Sequence, residues 1–348
     1  MPCVPIIASL LLAACGGDDG SVPDTAEAPR DLIAFGGRAT DGDGQYGLYL
    51  VRPDGSELRK VTDESGFIFV PRWSPTGEHI AYIVGTEGQE RPGALRLYDP
   101  RTGSASTVSE RASPSLQGLA AAWSPDGRRL AFVEAVGEGR LRVFDVDRAE
   151  LLDLPDMDGT APDWSPTGDE LVFVSAAGAE ETDLYLTDED GEDPRRLLER
   201  RGVEGNPRWS PDGERIAVWS APADRLEERE LLVIDRDGGA VTELGPGFGA
   251  AWSPDGTQLA YSAPAPGNAA NLEIFIVALD SGESQPLSPE VTVTVDGWPA
   301  WSPDGERLAY LAQVDRQTAF LCVAQPETRE RSCLNLPEGV VPGAPAWR

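Results

Sequence analysis

Trp123-Ser124-Pro125-Asp126-Gly127-Arg128-Arg129-Leu130-Ala131-Phe132 is the stretch that organises this chain. Trp-Ser-Pro returns at Trp73, Trp164, Trp209, Trp252 and Trp301, at intervals of 41 to 50 residues, and a truncated copy stands at Trp347. Four copies read WSPDG (from Trp123, Trp209, Trp252 and Trp301) and two read WSPTG (from Trp73 and Trp164). Self-similarity at a near-fixed period outranks any local propensity in deciding architecture. The motif has a physical logic. Pro presets φ, Asp can accept from backbone amides and Gly permits positive φ, so Ser-Pro-Asp-Gly is turn chemistry. Thr76 and Thr167 replace the Asp only in part. Trp buries roughly 150–250 Å², which suits it to fill the wedge between neighbouring sheets. The four Asp residues could be read as ligands or acids, but their regular place in a turn favours the structural role.

Outward from each motif comes a short apolar run with a small centre, such as Ile80-Ala81-Tyr82, Leu130-Ala131-Phe132 or Leu308-Ala309-Tyr310. A second run follows, such as Leu184-Tyr185-Leu186 or Ile274-Phe275-Ile276-Val277, and a shorter third closes the unit. These runs are β-branched or aromatic and bounded by Asp-Gly, Ser-Gly and Pro turns. Four antiparallel strands per repeat, A (ending in the Trp) to D, match a β-propeller blade. The first unit, from Ile33-Ala34-Phe35, lacks its A strand, and residues 343–348 form an A strand with nothing after it. The expected fold is therefore all-β, a seven-bladed β-propeller of four-stranded antiparallel blades, closed by a C-terminal strand that completes the N-terminal blade. An open stack of repeats would leave sheet edges exposed.

The 348 residues carry 29 Lys+Arg against 59 Asp+Glu, a formal net charge of −30. That excludes nucleic-acid binding through phosphate neutralisation and docking on anionic lipid through a basic patch. Hydrophobic residues are 40% and charged residues 25%, an ordinary globular balance. A single histidine, His79, removes most zinc sites and most Ser-His or Cys-His catalysis. It occupies a slot held elsewhere by Arg129, Glu170, Arg215, Gln258 and Arg307, which reads as interchangeable surface. Asp41-Gly42-Asp43-Gly44 resembles the start of a calcium loop but lacks the third ligand and the distal Glu, so it reads as a polar loop. No G-x-S-x-G occurs. No catalytic residue, metal site or cofactor is expected. The charge makes weak cation binding plausible without specifying a site.

Residues Val4 to Ala14 form an apolar run too short to span a bilayer and right for a signal-peptide core. It ends in Leu12-Ala13-Ala14-Cys15-Gly16, which resembles the bacterial lipoprotein lipobox. That resemblance implies a signal peptide over 1–14 and lipidation of Cys15, although Met1-Pro2-Cys3 carries no Lys or Arg. An ordinary cleaved signal with an incidental Cys is the alternative. Residues 15–30 are small, polar and acidic and read as a flexible tether, leaving 31–348 for the propeller. Cys322 and Cys333 fall in strands C and D of the last unit. A hairpin centred between Glu327 and Thr328 sets them opposite each other, so a cross-strand disulfide is expected, two reduced core thiols being the alternative.

The WSPDG turn followed by an Ile-Ala-Phe-like strand resembles the repeat of TolB-like propellers, over residues 31–348. The resemblance implies a cell-envelope protein, lipid-anchored and periplasm-facing or at the cell surface, that recognises other proteins. Related repeats also form the propellers of prolyl-oligopeptidase-type peptidases, whose α/β-hydrolase domain has no counterpart in this sequence. The expectation is a non-catalytic, monomeric, protein-binding scaffold whose partner is an envelope protein or polymer, with no nucleic acid. An envelope hydrolase or lyase, acting on a glycan or peptide with channel carboxylates, is the alternative. Convergent Asp, Glu and Arg in the channel would favour that enzyme. The long, variable B–C and D–A connections share one face, where binding residues concentrate. Phe67, Phe248 and Trp298 read as lying in D–A connections and as candidate anchors. Packing between blades or plugging the channel mouth is the alternative for them.

Overall fold

The computed structural model describes residues 31–39, 45–85, 92–113, 121–137, 139–152, 155, 157–175, 181–287, 295–314, 318–337 and 340–348. The expected signal peptide (1–14), the expected tether (15–30) with Cys15, and residues 41–44 lie outside the described residues. Within them the regular structure is strand, apart from one short 3-10 turn at Leu226–Glu228.

The strands pair in successive antiparallel groups of four, each designated here by its tryptophan. The Trp73 group is Phe67–Trp73, Ile80–Gly85, Gly93–Asp99 and Ser104–Ala112. The Trp123 group is Ala121–Trp123, Arg129–Glu134, Arg140–Asp145 and Glu150–Leu151. Thr160–Trp164, Glu170–Ser175, Asp183–Asp188 and Arg195–Leu198 form the Trp164 group. Val203–Trp209, Arg215–Ala221, Glu230–Asp235 and Val241–Pro246 form the Trp209 group. Phe248–Trp252, Gln258–Ala265, Asn268–Ala278 and Ser284–Pro286 form the Trp252 group. The Trp301 group is Val295–Trp301, Leu308–Gln313, Ala319–Ala324 and Arg331–Cys333. The Trp347 group joins the two ends of the chain. Val340–Trp347 lies beside Ile33–Ala39, which pairs with Tyr46–Val51 and then Arg59–Lys60. Ile33 stands opposite Trp347, and Leu32 and Arg348 exchange backbone hydrogen bonds of 2.7 and 3.0 Å.

The hydrophobic cores lie between consecutive groups, as the alternating pattern of the strands demands. Val172 and Leu186 pack with Trp209 and Val218, and Ala260 and Ile274 pack with Trp301 and Tyr310. The Trp347 group has a core on each face. Leu48 and Leu50 meet Ile80 and Tyr82 of the Trp73 group, while Ile33 and Phe35 meet Leu321 and Val323 of the Trp301 group.

The buried serine is the hub of the repeated turn. Ser124 Oγ donates to Asp126 Oδ1 (2.6 Å) and accepts from Arg129 N–H (2.9 Å), while Gly127, at φ +71, donates its N–H to Ser124 O. In the WSPTG copy at Trp164 the carboxylate comes from Asp169, two residues later, which accepts from Ser165 Oγ at 2.8 Å. The slot read as interchangeable surface is corrected by the structure. Arg129 lies 4.8 Å over the Trp164 ring, Arg215 5.2 Å over Trp252 and Arg307 4.9 Å over Trp347, and His79 stacks on Trp123 at 6.3 Å. The turn places this residue against the next group's indole, so a cation or aromatic there covers an apolar face.

Candidate functional site in the central channel

Where the A strands converge, each of five carries the same irregularity. Two residues oppose one just before the last dipeptide, between Phe69 and Arg72, Thr160 and Asp163, Gly205 and Arg208, Phe248 and Ala251, and Gly297 and Ala300. These are β-bulges, which bend a strand and re-aim the side chains beyond them. Pro71, Pro162, Pro207 and Pro299 sit in them, where a missing N–H breaks no ladder. The residue before is held at positive φ at Ala161 (50°), Asn206 (56°), Gly249 (66°) and Trp298 (54°).

The residue immediately before each Trp stands at this converging end of the A strand. Reading along the chain it is Arg72, Ala122, Asp163, Arg208, Ala251, Ala300 and Ala346. Six of these seven border a cavity of about 430 Å³, whose wall also includes Pro166, Pro211, Pro254 and Pro303 of the turns. The cavity is thus at the Trp-Ser-Pro end of the A strands, opposite the long connections. Its backbone is tied by the indoles. Trp123 Nε1 donates to Arg72 O (3.1 Å), Trp252 Nε1 to Arg208 O (2.9 Å) and Trp301 Nε1 to Ala251 O (3.0 Å).

Two arginines and one carboxylate therefore face one cavity. Asp163 Oδ2 accepts the Trp209 backbone N–H at 2.8 Å, and its Oδ1 lies 3.8 Å from Arg208. Arg72 Nε is buried with no hydrogen-bond partner. Burial, and then the like charge of Arg208, push the Arg72 guanidinium down to about 9, against the pull of Asp163. Burial raises the Asp163 carboxyl above its usual value, opposed by Arg208 and the Trp209 N–H. Sequence reasoning missed this trio. Its signal was the position before Trp, which is Ala in four copies and charged in three.

The aromatics expected in the D–A connections lie instead inside A strands, because those strands begin earlier than the apolar pattern indicated. Phe67 sits edge-on to Phe69 at 4.9 Å. Phe248 lies under Arg229 at 5.1 Å. Trp298 is 39% exposed. A second concavity, about 900 Å³, separates the Trp252 and Trp301 groups at the turn end and is lined by Asp255, Glu283, Asp304, Glu306 and Glu327 beside Arg329. Among the described residues no three His, Cys, Asp or Glu converge as a metal site, and no helix is long and apolar enough to cross a membrane. Cys322 and Cys333 stand opposite each other in register and are joined by a disulfide, with Cα atoms 3.9 Å apart.

Radially arranged four-stranded antiparallel sheets around a common channel define the class as a β-propeller. The chain belongs to the TolB beta propeller domain family, whose model matches residues 119–348. No curated protein sequence matches it. Among solved structures it is similar to TolB from Acinetobacter baumannii (20% identity, 92% of this chain and 68% of that one, TM-score 0.55). It is also similar to oligogalacturonate lyase from Vibrio parahaemolyticus (14% identity, 88% and 86%, TM-score 0.60). A third likeness is to the β-propeller domain of the Trilobed protease from Pyrococcus furiosus, described as having an open velcro topology (17% identity, 88% and 95%, TM-score 0.62). At these identities the likeness is one of fold.

Proposed function

We propose that this chain is a non-catalytic, binding β-propeller of the bacterial cell envelope, tethered by a lipid on Cys15 and engaging an envelope protein or polymer. In this reading the ring has seven blades, and the strand Val340–Trp347 closes it by completing the first. The register of that strand on Ile33–Ala39, and the cores on both faces of the composite group, support closure.

The observation that carries the binding role is Trp298. It holds φ 54° and 39% exposure at a position filled elsewhere by Ala161, Asn206 and Gly249. A bulky residue in the left-handed region costs of order 1–3 kcal/mol, and strain of this kind clusters at functional sites. An exposed tryptophan fixed by its backbone is a preorganised anchor for a partner. The test is capture from solubilised envelope by the immobilised mature chain. Trp298→Gly suits the backbone, so it should keep or raise Tm while losing the captured partner. Equal capture by both proteins refutes the anchor.

The second reading, an envelope hydrolase or lyase, is favoured by the convergence of Arg72, Asp163 and Arg208. Against it, Asp163 is the one carboxylate of that trio and is engaged by Arg208 and the Trp209 N–H, whereas glycoside cleavage ordinarily needs two acids. Turnover of a glycan or peptide panel by the wild type, lost in Asp163→Asn, would establish this reading instead.

A further inference from the structure

We propose that the turn-end channel cavity is an anion site, selective for a small monovalent oxyanion of the carboxylate type, held between Arg72 and Arg208. This is a site separate from Trp298 and independent of the partner that Trp298 engages.

The whole chain carries −30, yet the trio lining this cavity sums to +1, two guanidiniums against one carboxylate. Asp163 is already committed, to Arg208 through Oδ1 and to the Trp209 N–H through Oδ2. It cannot satisfy both arginines fully. Arg72 is left with a buried Nε–H that donates to nothing, and leaving a buried charged donor unmade is costly. Two like charges are held towards one another by bulged strands, so relaxation away from each other is restricted. A carboxylate is the complement of a guanidinium fork. The cavity, about 430 Å³, holds such an ion with its water, since a water takes up about 30 Å³. The apolar part of the wall, Ala251, Ala300 and Ala346 with the turn prolines, lowers the local dielectric and strengthens the attraction. A single surplus charge favours monoanions over dianions, because each further negative charge faces Asp163 and the acidic exterior.

Trp73, Trp164, Trp209, Trp252, Trp301 and Trp347 are among the residues that border the same cavity, which supplies a reporter. Iodide is a monoanion and a fluorescence quencher. In the full mature chain, iodide quenching should show a saturable component above the collisional background, displaced by acetate at constant ionic strength but not by sulfate. Arg72→Met should abolish the saturable component. It should also raise Tm in anion-poor buffer, because it removes a buried guanidinium N–H that has no acceptor. Asp163→Asn retains an acceptor for the Trp209 N–H and raises the surplus to two, so acetate should compete at least tenfold more tightly. That variant keeps the proposal falsifiable even if Arg72→Met perturbs the fold. Purely collisional quenching in the wild type, or an acetate response equal in wild type, Arg72→Met and Asp163→Asn, overturns the site.

Discussion

Arg307 spreads its guanidinium 4.9 Å over the ring of Trp347, and both donate to the same oxygen, Asp31 Oδ1, at 3.1 and 3.0 Å. Three side chains, from the last internal turn, the C-terminal strand and the segment just before the strand Ile33–Ala39, thus meet at one point. Trp347→Ala removes the ring, the cation–π contact and the indole donor together. We expect a loss of about 3 kcal/mol, within the usual range for large-to-small aromatic changes, measured by urea unfolding. Deletion of residues 343–348 should cost more, because it also removes the backbone pairing with Ile33–Ala39. A truncated protein with unchanged midpoint would refute a ring held at that seam.

Glu204 gives the fold a pH dependence near neutrality. Its side chain is buried, Oε1 accepts from Ser220 at 3.1 Å, and Oε2 has no partner. Burial, reinforced by Asp183 and opposed by Ser220, Arg200 and Arg196, raises its carboxyl to about 7. A folded value above the unfolded one means that the folded state holds the proton more tightly. The stabilisation is complete below the unfolded value, near 4.5, and is lost as pH rises through about 7. Glu204→Gln should flatten stability between those limits and be the more stable protein at pH 8, by up to about 3 kcal/mol. Parallel stability–pH curves for the two proteins would contradict this.

The turn carboxylates act in the opposite sense. The hydrogen bond from Ser302 to Asp304, and that from Ser253 to Asp255, hold these carboxyls below their ordinary value, against a smaller desolvation effect. Their stabilisation is present above the ordinary carboxylate range and is lost as pH falls through the depressed values. Asp304→Asn should lower Tm at pH 7, and the gap to wild type should close as pH falls through the depressed carboxyl value of Asp304.

Reduction should loosen the last hairpin. The disulfide between Cys322 and Cys333 closes a loop of sequence separation 11, worth about 3 kcal/mol by chain entropy. Tm with and without reductant, alongside intact mass, checks this. Cys322→Ala/Cys333→Ala should match the reduced wild type.

The repeat was legible in the sequence because its determinants are local. Asp126 and Gly127 define a turn, Leu130-Ala131-Phe132 a strand, and Cys322 and Cys333 a hairpin register, all within a few residues of one another. The strand boundaries were less legible. Phe67, Phe248 and Trp298 read as connection because Pro and Gly beside them resemble loop signals, whereas in the fold all three lie inside A strands, Trp298 in a bulge itself. The Arg129 slot read as surface because its partner, Trp164, belongs to the next unit.

The sequence by itself determined the four-stranded unit, its turn chemistry and its order of repetition, since these depend on side-chain alternation and backbone preferences acting over short spans. Only the tertiary structure decided that Arg72, Asp163 and Arg208 share one cavity. They are far apart along the chain and look like three unrelated polar residues before a tryptophan. Bulges turn them inward and the packing of successive sheets brings the A strands together, and electrostatic coupling follows from distance in space.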